Sequence, residues 1–182
     1  EWDETPEKKF DYKIGLHKGA ELSKAKMVIV EFADFECPHC KHTSPVLKNF
    51  VETNPDDVAL IFYNFPLDNC STQYGAATRC ELAKAVYCAE KEGKGWAIHD
   101  WIFENFQNFK LSELQAAAEE MGIPGQAYRD CRSDPASQEA VMQQVEMGKA
   151  AGVKGTPAIY VNKRKVSYGN RYFVLEELLG HL

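Results

Sequence analysis

Met27-Val28-Ile29-Val30-Glu31-Phe32-Ala33-Asp34-Phe35-Glu36-Cys37-Pro38-His39-Cys40 runs from a short apolar segment straight into two cysteines separated by two residues. Met27 to Ala33 is β-branched, apolar and short, which suits a strand buried on both faces in the middle of a sheet. Pro38 suits the first turn of a helix, where a missing N–H costs nothing. The helix should continue through Thr43 to Val51, with a kink at Pro45. The cysteine pair therefore lies at a strand-to-helix junction.

Outward from that junction, Val58 to Phe65 reads as a second strand ended by Pro66, and strand, helix, strand fits a parallel βαβ unit. From Tyr74 the character turns helical: Ala76 to Ala89 is alanine-rich, Trp96 to Phe106 carries aromatics at helical spacing, and Leu111 to Met121 repeats apolar residues at three to four. Ser112 with Gln115 resembles a capping box and Gly122 a C-terminal cap. Asp134-Pro135 reads as an N-cap with proline at the first helical position of a helix reaching about Ala151. Strand character returns at Ala158 to Val161 and around Lys165 to Tyr168, separated by Asn162-Lys163-Arg164, which predicts a hairpin. A last helix covers Tyr172 to Leu179. Trp96, Trp101, Phe103 and Phe106 are expected in the core, although they could line a peptide groove. The order is α/β with a helical insert.

The chain has 182 residues, 45% hydrophobic and 26% charged, which fits one globular domain carrying an inserted subdomain. No apolar run approaches the roughly 20 residues of a bilayer span. With 21 Lys+Arg against 27 Asp+Glu the net charge is -6, and the basic residues are scattered, so nucleic acid is excluded as a partner. Six cysteines point to an oxidising compartment. Glu1-Trp2-Asp3-Glu4 carries neither a basic n-region nor an apolar h-region, and a signal peptide already removed is the preferred reading. The location expected is periplasmic or otherwise extracytoplasmic.

In disulfide exchange the attacking species is a thiolate, so a working pair needs one sulfur in an electropositive, accessible place and a second close enough to resolve the mixed disulfide. Cys37 at a helix N-terminus meets free amide N–H groups and the helix dipole, which depress its pKa. His39 can add positive charge or a hydrogen bond to that thiolate, and His42 a weaker contribution. Cys40, one turn in, is the resolving thiol. A structural zinc site using His42 lacks a second closely spaced Cys or His pair, so no metal is expected. A purely structural 37–40 bridge closes too short a loop to stabilise much.

Val30 to Cys40 resembles the active-site segment of DsbA-like thiol:disulfide oxidoreductases of the thioredoxin superfamily. Val153-Lys154-Gly155-Thr156-Pro157-Ala158 resembles that family's loop bearing a cis-proline. The resemblance extends over nearly the whole chain from about Tyr12. It implies a thioredoxin fold, a central mixed sheet flanked by helices with an inserted helical subdomain. Residues 1–10 would be a flexible lead-in, 11–65 and 153–182 the thioredoxin-like part, and 66–152 the insertion. It also implies that Cys37 is the nucleophile, Cys40 the resolving thiol, His39 the stabiliser of the thiolate and Pro38 part of the motif. Pro157 would follow a cis bond, with Thr156 presenting its backbone to an extended substrate peptide. Glu31, a charge inside an apolar strand, would relay protons to or from Cys40 through water. The alternative is a carboxylate facing solvent or a lysine. Asp34 and Glu36 are expected to be solvated and to place negative charge near the thiol.

The remaining cysteines are Cys70, Cys80, Cys88 and Cys131, and four cysteines allow three complete pairings. Cys80 and Cys88 share a helix about 12 Å apart along its axis and cannot bridge each other. Cys70 with Cys80 is the favoured bridge, while Cys88 and Cys131 either pair or stay as buried thiols. The resemblance implies a monomer that needs no cofactor and oxidises reduced, exported substrate proteins. A membrane quinone-linked partner, DsbB-like or vitamin K epoxide reductase-like, would reoxidise it. A reductase or isomerase on the same fold, or a non-catalytic chaperone or binding module, are the alternatives.

Overall fold

The computed structural model describes residues 2–71 and 78–182. A five-stranded layer forms around the two apolar runs. β2 (Met27–Ala33) and β3 (Val58–Asn64) are buried at every position, as expected of central strands without a polar face. β1 (Leu16–Gly19), β4 (Ala158–Val161) and β5 (Arg164–Lys165) complete the sheet in the order β1-β3-β2-β4-β5. β1·β3, β2·β4 and β4·β5 are antiparallel, and the sheet is mixed through its remaining pair, β2 and β3, which α1 (Pro38–Thr53) joins. The fold is the thioredoxin-type α/β arrangement of a mixed sheet flanked by helices.

β1 carries no strand signal of its own, because Leu16-His17-Lys18-Gly19 shows one buried apolar residue and no run. Its pairing with β3, Leu16 opposite Phe62, makes it a strand. The closing hairpin is shorter than expected. Asn162 and Lys163 both take positive φ, 45° and 69°, the backbone a tight primed turn requires, so β5 starts at Arg164 and ends at Lys165. Helix α1 runs unbroken from Pro38 to Thr53 with Pro45 inside it.

The chain divides into two compact units: residues 1–33, 37–63 and 147–182, and residues 34–36 and 64–146. The first holds the sheet, α1 and α7 (Tyr172–His181), which packs against α1. The second holds α2 (Thr78–Glu90), α3 (Gly95–Glu104), α4 (Leu111–Glu120), α5 (Gly125–Ser133) and most of α6 (Pro135–Ala151), with α2 packed on α3 and α5. The expected helix start at Tyr74 and Ala76 lies outside the described residues. Helix α5 is short and mostly polar, with Tyr128 its one buried residue, so it shows no apolar run to announce it. At α4 the cap is Lys110, whose N–H donates to Glu113 Oε2 at 2.5 Å, rather than Ser112 with Gln115. Gly122 takes φ +91° after α4, and Asp134 Oδ1 accepts the Ala136 N–H at 2.9 Å at the start of α6. Of the four α3-region aromatics, only Phe103 is fully buried; Ile98, His99 and Ile102 form the rest of the inward face. The disulfides are Cys70–Cys80 and Cys88–Cys131. Among the described residues no helix is long and apolar enough to cross a membrane.

Residues 2–10 make contacts that a loose lead-in would lack. Phe10 lies with its ring centre 5.0 Å from Tyr160 and 5.8 Å from Phe32, and the Lys8 N–H donates to the Lys163 carbonyl at 2.8 Å. Arg164 reaches back to the Thr5 carbonyl and to Glu7. Phe10→Ala is accordingly expected to cost about 2–3 kcal/mol in urea denaturation. No loss would make residues 2–10 a tether without structural work.

Candidate functional site

Two chain segments meet in the first unit. β2 delivers the chain toward α1, and Cys37 occupies the N-cap of that helix with extended φ and ψ of -89° and 117°. β4 starts at Ala158, opposite Phe32 of β2, so the preceding loop falls beside the helix start. The Thr156–Pro157 peptide bond in that loop is cis.

Cys37 Sγ accepts the Cys40 N–H at 3.3 Å and its S–H donates to the Thr156 carbonyl at 3.5 Å. The first contact satisfies one amide that the helix start leaves without a carbonyl partner, as a serine or aspartate cap would. A sulfur so placed gains from ionisation, because the amide and the helix dipole both favour negative charge. Cys37 is 7% exposed and Cys40 0%, so the first thiol is the more accessible of two sheltered ones. Pro38 and His39 are both exposed in the first turn, and His42 is exposed one turn on. The His39 carbonyl accepts the Thr43 hydroxyl at 2.8 Å. Cys37 and Cys40 are the cysteines outside the disulfides.

Glu31 lies in β2 opposite Ile159, 1% exposed, and its Oε1 has no hydrogen-bond partner. It faces neither solvent nor a lysine. Burial pushes its pKa up to about 8, with the charge of Cys37 adding to the rise. Near neutral pH the group is an uncharged acid able to give up a proton, within electrostatic reach of the thiol pair. Thr156 and Pro157 are partly exposed, and Thr156 Oγ1 is buried without a partner.

The second unit corrects one expectation. Asp34 is not solvated: it is 1% exposed and accepts the Glu36 N–H at 2.7 Å and the Leu67 N–H at 2.8 Å. Arg79 Nη1 donates to the same carboxylate at 2.6 Å, and Arg79 Nε lies 3.5 Å from half-buried Glu36. A carboxylate this buried requires such partners. Arg79 is invisible to sequence reasoning, since it stands 45 positions from Asp34 and follows no motif.

A thiol pair at a helix N-terminus, a preceding strand with a buried carboxyl and a Thr-Pro loop against the sulfur define a thioredoxin-fold dithiol protein. The family model described as Thioredoxin matches residues 15–180, and the chain belongs to that family. It is 26% identical over 163 residues to the thiol:disulfide interchange protein DsbA of Bordetella parapertussis, covering 86% of this chain and 69% of that protein. It is also 25% identical over 142 residues to the Na(+)/H(+) antiporter NhaA 3 of Salinispora tropica, covering 78% of this chain and 21% of the antiporter. The chain thus spans about a fifth of the length of that relative. The structure of oxidised BdbD from Bacillus subtilis superimposes with a TM-score of 0.77 at 20% identity, covering 97% of both chains.

Glu31 makes stability depend on pH. Its folded pKa of about 8 lies above the ordinary 4.5, so the unfolded chain loses this proton first and folding is increasingly disfavoured as pH rises between those values. Glu31→Gln removes the ionisation. Relative to its standing below pH 4, the variant is expected to gain several kcal/mol on the parent by pH 9, because each tenfold difference in proton affinity is worth about 1.4 kcal/mol. Parallel pH profiles of denaturation for the two proteins across this range would contradict a buried, uncharged Glu31.

Proposed function

We propose that the chain is a thiol:disulfide oxidoreductase that donates a Cys37–Cys40 disulfide to reduced, exported substrate proteins. The observation that carries this reading is the Cys37 sulfur held at the α1 N-cap by the Cys40 N–H, beside the Thr156 carbonyl. A substrate thiolate attacks Cys37 Sγ of the oxidised pair; the S–S bond breaks and its electrons leave on Cys40. Glu31, or water it polarises, supplies the proton that Cys40 takes up. A second substrate thiolate then attacks the substrate sulfur of the mixed disulfide and expels Cys37 as a thiolate, which its N-cap position stabilises. The substrate loses two electrons and the protein gains them. Thr156 and Pro157 hold the substrate backbone alongside Cys37 in an extended form, and His39 stabilises the departing thiolate.

Two disulfides besides the active pair support an extracytoplasmic setting, where such bonds persist. Likeness to the Bordetella interchange protein supports thiol:disulfide interchange as the activity, and a membrane quinone-linked partner is proposed to reoxidise the pair.

Cys37→Ser is expected to abolish oxidation of a reduced model protein, and Cys40→Ser to accumulate mixed disulfides visible on non-reducing gels. Full activity in Cys37→Ser would refute the assignment. The direction of transfer is read by equilibrating the pair with glutathione and weighing the alkylated active-site peptide. A potential well above the roughly -270 mV of thioredoxin is expected of a donor, and one near or below it would make the protein a reductase.

A further inference from the structure

Away from the dithiol, positive charge gathers on one face of the second unit, in a chain whose net charge is -6. α2 and α5 are fastened there by the Cys88–Cys131 disulfide and by the Tyr128 hydroxyl, which donates to the Ala85 carbonyl at 2.9 Å. Lys84 stands one turn before Cys88 on α2. Arg129 and Arg132 stand on either side of Cys131 on α5, so three cations lie near the bridge, apart from Arg79 at the start of α2. A cavity of about 350 Å³ opens among them, lined by Glu81, Lys84, Arg129, Arg132 and Ser133. A neighbouring cavity shares Lys84 and Ser133 but turns acidic at Asp134 and Glu139, which confines the positive lining to the first.

The cations differ in how they are balanced. Lys84 Nζ is 2.6 Å from Glu81 Oε1. Arg129 is 3.2 Å from Glu119, but both side chains are about half exposed, and such pairs are worth little and exchange readily. Arg132 meets no acid among the described residues. Its guanidinium is held by neutral groups, bonded to Gln115 Oε1 and set 4.6 Å over the Tyr128 ring, and its Nε is buried without a hydrogen-bond partner. A buried N–H left unmade is costly. A guanidinium fixed in advance by a ring and an amide loses little freedom on binding, and its fork matches oxygen anions.

We propose that this cavity binds a small, multiply charged organic oxyanion, a phosphate ester or a polycarboxylate, through Arg132, Arg129 and Lys84 with the Ser133 hydroxyl. Three cations against one carboxylate in the lining set the sign of the ligand. The volume, at the low end of the range for small-molecule pockets, leaves room for an organic ligand beside its anionic group. The site involves none of the residues assigned to disulfide exchange.

Calorimetric titration of the folded, disulfide-intact chain with glucose 6-phosphate and separately with citrate tests this. Saturable one-to-one binding of at least one probe is expected, and the stronger probe identifies the source of the oxyanion. Arg132→Gln should weaken it roughly tenfold or more, and Arg132→Lys less, since charge is kept and the planar fork lost. Arg129→Gln changes a half-exposed side chain and keeps the test sound if Arg132→Gln misfolds by circular dichroism; a loss of severalfold is expected. Raising the salt should weaken binding in the parent. Oxidation of a reduced model protein should be unchanged in both variants, which separates this site from the dithiol. Failure of both probes to saturate, or equal affinity in the parent and Arg129→Gln, overturns the proposal.

Discussion

At the N-terminal turn of α1, the Cys40 amide donates to the sulfur of Cys37. Every other feature of the dithiol depends on that contact. It places the first sulfur in the positive end of the helix and leaves the second wholly covered one turn along. It holds only because the chain arrives at Cys37 extended, from a strand that cannot shift. A one-residue slip of β2 would move Glu31 out of register with Ile159 and turn its other side chains to the opposite faces. β2 is buried at all seven positions, and no such slip is tolerable.

Glu31 is the charge-bearing side chain that this strand carries into the interior. An ionised carboxylate there would lack compensation, so the group stays protonated until about pH 8. That state makes it useful: a neutral acid can supply a proton where a solvated carboxylate could not. The stability given up as pH rises from 4.5 toward 8 is the counterpart of that readiness, and an apolar residue of similar size would fill the strand without offering it.

The junction is legible in the sequence because its signals are local. An apolar run, a cysteine and a proline at the first helical position agree with one another, and α1 and β2 follow from them. The long-range features are less legible. β1 shows only Leu16 as a buried residue and becomes a strand through its partner Phe62. α5 is nine residues long and mostly polar, with Tyr128 its one buried residue, so it offers no apolar run long enough to read as a helix. Cys88 and Cys131 lie 43 residues apart, and no spacing rule joins them before the helices are packed. Asp34 misleads for the same reason: a carboxylate after a strand reads as exposed unless the distant arginine that covers it is known.

That arginine changes the electrostatic argument about the thiol. Two acids within three residues of Cys37 should oppose its ionisation and lower the tendency of its disulfide to accept electrons. Yet Asp34 is bound by Arg79 and by the Leu67 and Glu36 amides, and Glu36 shares the same guanidinium. One cation offsets one of the two charges, and the amides disperse part of the field of the buried one. Asp34 thus serves to shape the turn that precedes Cys37, through its bond to the Glu36 amide, rather than to repel a thiolate. What then governs the sulfur is the helix terminus it caps and the buried acid on β2, and these act in opposite senses. The first favours the thiolate, while the second, once ionised, disfavours it, so thiolate formation at Cys37 and proton loss from Glu31 are coupled and each raises the cost of the other.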